Sequence, residues 1–187
     1  MSKRRSLLAV VMVMLAMGSR GSAAFAQEKP APSSAERASR PLIDVATSLT
    51  LEEARIIIEA AIAKVRADKG RAAIAVVDDN GNLVSMDRMD GTSSFFQRFA
   101  VGKAVGAVAL QQTTGESADQ YAANPQRFLS ALSMLQGEVL LIRGGFPLIV
   151  DGRIIGGVGS AGHRGDGDVE AVKAGIAAWE RFRKERR

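Results

Sequence analysis

Two short turn signals constrain this chain more than anything else in it. Val150-Asp151-Gly152-Arg153 sets a two-residue Asp-Gly turn between the apolar runs Leu148–Val150 and Arg153–Val158. Turns of that length join neighbouring antiparallel strands. Asp79-Asn80-Gly81-Asn82 plays the same part between the β-branched run 72–77 and the returning segment Leu83–Arg88. Leu140–Ile142 reads as one more strand, and Gly144-Gly145-Phe146-Pro147 as a tight turn leading into Leu148. Strands joined by hairpins give a mostly antiparallel sheet.

Helical patterns flank these strands. Thr50-Leu51-Glu52-Glu53 is a capping box, followed by Leu51, Ala54, Ile57, Ile58, Ala61, Ile62 and Val65 at helical spacing and a stop near Lys69-Gly70. Ser93 or Ser94 starts a second helix whose buried side is expected to include Phe95, Phe96, Phe99, Val101, Val105 and Val108. Short helices fill Ser117–Met134. Asp166 or Asp168 caps a last helix from Val169 to about Arg183, with Val172, Ile176 and Trp179 inward. Runs of strands set between runs of helices imply an α+β fold with helices packed on the sheet.

The termini are of another kind. Lys3, Arg4 and Arg5 precede the apolar run Leu7–Met17, and Ala24-Phe25-Ala26 gives an A-x-A cleavage site before Gln27. Eleven apolar residues span about 16 Å as a helix, short of the roughly 30 Å hydrocarbon core. Residues 1–26 are therefore expected to be a signal peptide, which places the protein in the periplasm or outside the cell. Residues 27–48, rich in Pro, Ala and Ser, read as a flexible linker, residues 49–183 as the folded domain and 184–187 as a basic tail.

This division changes the meaning of the charge. The formal net charge is +5, from 25 Lys and Arg against 20 Asp and Glu. Residues 1–26 hold four of the bases and no acid, and residues 181–187 hold five bases and one acid. The remainder is mildly acidic, so no basic footprint for nucleic acid exists. The chain has no Cys and one His, which excludes disulfides, zinc ribbons, iron–sulfur clusters and a cysteine nucleophile.

Gly157-Val158-Gly159-Ser160-Ala161-Gly162 matches a dinucleotide fingerprint, but that motif needs a strand, a helix and a further parallel strand. Here one helix follows. The better reading is a strand that a backbone or ligand approaches closely. Asp166, Asp168 and Glu170 alternate like a weak cation site, though first-turn acids beside a helix dipole account for them. His163 sits in a Gly-rich loop with no evident catalytic partner. Lys103, among small and apolar residues, either snorkels at a helix edge or reaches a ligand carboxylate. Thr113 and Thr114 either cap the next helix or face a ligand. No catalytic constellation is visible.

Several segments in order carry a resemblance: Leu49-Thr50-Leu51-Glu52-Glu53-Ala54, Ala75-Val76-Val77-Asp78 with Asn80-Gly81-Asn82-Leu83, Arg88-Met89-Asp90-Gly91, Gly102-Lys103-Ala104, Gly144-Gly145-Phe146-Pro147-Leu148, and Val150 to Gly159. Over about residues 48–180 the chain resembles the GlcG/HbpS-like haem-binding family, also seen as the C-terminal domain of PduO-type proteins. The resemblance implies a profilin-like fold with a five-stranded sheet, a homo-oligomer, haem as the leading ligand, and haem or redox sensing with a membrane sensor partner. Lys103, Arg88 or the amides of Gly144 and Gly145 would then meet the haem propionates, and Thr113 or Thr114 would approach the iron. The metal ligand is left open among Thr113, Thr114 and His163, since the family more often has Ser-Gly-Gly where His163 stands. Two other readings are an enzyme acting on a small carboxylate with Lys103 as its anion-binding or Schiff-base residue, and a ligand-free interaction module for a membrane sensor.

Overall fold

The computed structural model describes residues 48–186; the expected signal peptide and nearly all of the linker lie outside them. The elements run α1 (Leu51–Ala67), β1 (Ala73–Asp78), β2 (Leu83–Arg88), α2 (Phe95–Ala109), α3 (Thr114–Ala122), α4 (Pro125–Met134), β3 (Gly145–Val150), β4 (Arg153–Ala161) and α5 (Gly167–Glu185). No helix among the described residues is long and apolar enough to cross a membrane.

Both turn signals do what their residues dictate. Asp78 Oδ1 accepts the N–H groups of Asn80 and Asn82, and Gly81 takes φ +83° to close the β1–β2 hairpin. Asp151 and Gly152 both have positive φ and join β3 to β4. The sheet is antiparallel in the order β2-β1-β4-β3.

It has four strands among the described residues, not five. Leu140–Ile142 is apolar enough to read as a strand, yet its backbone serves a helix: Leu140 N–H donates to Gly102 O at 3.0 Å. That close passage needs bare positions on α2, since a Cβ at Gly102 would lie 3.1 Å from Leu140 Cβ. Gly144–Pro147 is not a tight turn either. Pairing with β4 begins at Gly145, and Pro147 is tolerated because β3 is an edge strand.

The two faces of the sheet differ sharply. Ile74, Val76, Leu148 and Val158 point to one side, where Ala54, Ile57, Ile58 and Ala61 of α1 and Ala171, Val172 and Trp179 of α5 close the main core. Ala73, Ala75, Gly157, Gly159 and Ala161 alternate to the other side, against α2. There the helix backbone lies directly on the sheet. A Cβ at Gly159 would stand 2.1 Å from Ala100 O, and one at Gly157 would stand 2.6 Å from Ala104 O. The glycine motif of β4 therefore serves close helix–strand packing.

This packing reverses the expected orientation of α2. Its fully buried positions are the small ones, Ala100, Gly102, Ala104, Gly106 and Ala107, together with Lys103. Phe95 is 58% exposed, and Phe96, Phe99, Val101, Val105 and Val108 are half-buried. On a sheet face made of Ala and Gly the helix makes its closest contact through its small residues, and Phe96, Phe99 and Val101 pack beside them only partly buried.

The capping box of α1 reaches across the molecule. Glu53, 5% exposed, accepts the N–H and hydroxyl of Thr50, the indole N–H of Trp179 at 3.2 Å and the guanidinium of Arg183. Helix α5 thus continues past Arg183 with that arginine turned back onto α1. Burial works against the Glu53 carboxylate, but the bonds from Thr50, Trp179 and Arg183 outweigh it and hold its pKa below the ordinary value. A depressed folded-state pKa adds stability that is present above the unfolded value and lost as pH falls through the folded one. Glu53→Gln is expected to lower stability by about 2 kcal/mol at neutral pH and to flatten this acid-side loss, as read by urea unfolding from pH 7 down to pH 3.

Candidate functional site

The reversed helix builds a cleft. Leu83 and Met86 of β2 and Val101 and Val105 of α2 form apolar walls of a hollow of about 590 Å³ between the β1–β2 turn, α2 and the loop at Gly137-Glu138. Gln97 and Arg98 of α2 and Asn82 of the turn bring polar groups to it. A hollow of this size, apolar with a few convergent polar groups, suits a small organic ligand. Arg98 is exposed and sits apart from the ion pairs of the fold, which lie at Arg55–Asp87, Lys64–Asp68, Lys103–Asp168 and elsewhere. A second, more polar hollow of about 530 Å³ adjoins it, sharing Met86 and Gln97 and adding Arg66, Arg88 and Asp87.

Lys103, Asp168, Gly144, Gly145 and Thr114, all singled out in the sequence, converge elsewhere, in a closed polar knot. Lys103 is 3% exposed; its Nζ donates to Ser160 O at 2.7 Å and to Asp168 Oδ2 at 2.9 Å. Asp168 Oδ1 accepts from Ser160 Oγ and from His163 N–H, both at 3.1 Å. Gly144 and Gly145 roof the lysine: a Cβ on the first would come 3.2 Å from Lys103 Nζ, and on the second 2.3 Å from Lys103 O. Thr114, fully buried, donates to Ile142 O at 2.7 Å and accepts Gly145 N–H at 2.9 Å. The knot ties α2 to β4, to the start of α5 and to the strand that enters the sheet at Gly145. Its hydrogen-bonding groups are turned on one another.

The other sequence candidates are dispersed. Thr113 caps α3 through a capping box with Glu116, its hydroxyl donating to Glu116 Oε2 at 2.7 Å. Hydrogen bonds from the Thr113 hydroxyl and N–H hold the exposed Glu116 carboxyl below its usual pKa. Arg88 stands at the second hollow and donates to Thr92 O at 2.6 Å. The His163 imidazole lies between Gly70 and Gly167, where a Cβ on either would overlap it; Nδ1 is 3.2 Å from Arg164 O and Nε2 3.9 Å from Asp68 Oδ2. Asp166 caps α5 by position without a side-chain bond, and Glu170 pairs with Lys173. Among the described residues no group of three His, Cys, Asp or Glu is placed to hold a metal ion.

Sequence reasoning missed Arg98, Met86 and the outward face of α2. The signal was present: Ala, Gly and Lys at 100, 102–104, 106 and 107 alternate with Val and Phe, giving a helix with two apolar sides.

Comparisons with known proteins agree with this fold. The model of the family described as "Haem degrading protein HbpS-like" matches residues 49–177. An uncharacterised 15.0 kDa protein of the dhaT–dhaS intergenic region of Citrobacter freundii is 33% identical over 116 residues, 62% of this chain and 80% of that protein. The structure of HbpS is similar at TM-score 0.64 and 31% identity, covering 74% of this chain and 96% of that one. The structure of PduOC in complex with haem is similar at TM-score 0.63 and 28% identity, covering 70% and 94%.

The closed knot predicts a structural cost. Asp168→Asn leaves the Lys103 ammonium buried without its counter-charge and is expected to lower stability by roughly 3 kcal/mol or more. Lys103→Met, which removes the cation and keeps its length, is expected to recover stability when combined with it. A urea double-mutant cycle reads both.

Proposed function

This chain belongs to the HbpS-like family, and on that premise we propose that it is an exported haem-binding protein whose haem lies in the cleft between the β1–β2 turn and α2. The observation that carries the reading is the cleft itself. Leu83 and Met86 on β2 face Val101 and Val105, one turn apart on α2, across an apolar hollow, and Arg98 offers a cation for an acidic edge. This donor set fits an amphipathic tetrapyrrole, which needs apolar faces and a charged partner for its carboxylates. Arg88, across Met86 and Gln97 in the adjoining hollow, is the second cation within the same stretch of β2 and α2. The similarity to PduOC, whose structure holds haem, supports the ligand class. Bound haem would supply a redox-active iron that takes small ligands; the chain binds, orients and shields it.

Lys103, Gly144, Gly145 and Thr114 enter this reading as the support beneath the cleft. Their knot fixes α2 on the sheet and so fixes Val101, Val105 and Arg98 on its outward side. The leader pattern in residues 1–26 supports delivery to the periplasm or the medium, where a second copy or a membrane sensor would be the partner in haem handling or sensing.

Titrating hemin into the purified protein tests the proposal. A saturable shift of the Soret band is expected, with Arg98→Glu weakening affinity roughly tenfold or more through loss of a charge-assisted bond. A wild-type protein that produces no saturable Soret change contradicts it.

A further inference from the structure

We infer that Met86 supplies the protein ligand to the iron of a haem bound in this cleft, through its thioether sulfur. The inference rests on the haem-binding reading above and adds to it the identity of the donor atom.

Haem iron is held by His, Cys, Met or Tyr side chains. The chain has no Cys. Its single His, His163, is wedged between Gly70 and Gly167 beside Asp68, away from both hollows. Tyr121 is buried in α3 with the Arg127 guanidinium over its ring. Met134 is 82% exposed near the end of α4 and lines neither hollow. Met89 lines only the polar hollow. Met86 lines the apolar cleft and the polar hollow alike, and it packs beside Phe96, Phe99 and Val101 on the alanine face of the sheet. It sits on β2, which is an edge strand among the described residues.

The hydroxyl alternatives are weaker donors. The Thr113 hydroxyl is engaged with Glu116, and Thr114 is fully buried with its oxygen both donating and accepting. A neutral hydroxyl is also a harder and poorer donor than a thioether, whose soft sulfur suits reduced iron.

The test is spectroscopic. Ferric and ferrous haem complexes of the wild type, Met86→Leu, Met86→His and Thr113→Val are compared by absorption and magnetic circular dichroism. Wild type is expected to show a sulfur-to-iron charge-transfer band. Met86→Leu keeps the apolar volume but removes the donor sulfur, so it is expected to weaken haem binding, to lose that band and to shift the iron toward high spin. Met86→His is expected to give a low-spin, nitrogen-ligated spectrum. If haem binds and Met86→Leu leaves the spectrum unchanged, or if Thr113→Val alone changes it, the assignment of Met86 is overturned and the haem reading stands. If wild type takes up no haem, both fall.

Discussion

The structure depends on one close contact, the backbone of α2 lying on the glycines of β4. Gly157 and Gly159 meet the carbonyls of Ala104 and Ala100 at distances no side chain would permit, and Gly145 meets Lys103 O in the same way. A helix brought this near a sheet excludes large residues from the interface. The sequence complies with Ala73 and Ala75 on β1 and with Ala100, Ala104 and Ala107 on the helix. The apolar bulk of α2 then has to face outward. That is an unusual arrangement for a half-buried helix, because one that is apolar on both sides needs something against its second side.

The polar knot around Lys103 follows from the same contact. At the point where α2 crosses β4, a lysine among small residues has no route to solvent, and Asp168, 65 residues later, supplies the counter-charge. A buried pair of this kind contributes little net stability compared with an apolar substitute, while its removal in halves is costly. Its value is geometric: it fixes where α2 and α5 stand relative to β4, and with them the rim of the cleft.

Much of this was legible in the chain. Asp151-Gly152 and Asp78–Asn82 specify their hairpins through local φ preferences, and Thr50 with Glu53 specifies the start of α1; all three need only neighbours in sequence. The four-strand count was not legible from Leu140–Ile142, because the apolar run is the same whether it pairs with a strand or lies over Gly102 and Gly106. The orientation of α2 was not legible from its Phe and Val residues, since a two-sided apolar helix has no single preferred face. It follows only once Gly-Val-Gly in 157–159 is matched to the alternation of Ala with Ile and Val in 73–76. The engagement of Lys103 by Asp168 had no local sign at all, because nothing near residue 103 encodes a partner on the last helix. Gly144, Gly145, Lys103 and Thr114, which the resemblance offers as separate ligand contacts, meet in the folded chain as one buried cluster.

The central claim is that the outward side of α2, with the β2 edge, is the surface that takes up haem. Methyl-selective NMR of the protein with ferric haem measures this directly, because the paramagnetic iron broadens nearby methyl signals. The account predicts broadening centred on Leu83, Val101 and Val105, with Val65, Leu148 and Val172 in the core on the opposite face of the sheet left sharp. Broadening centred on the opposite face, or around Thr113 with the Val101 and Val105 methyls unaffected, would contradict it.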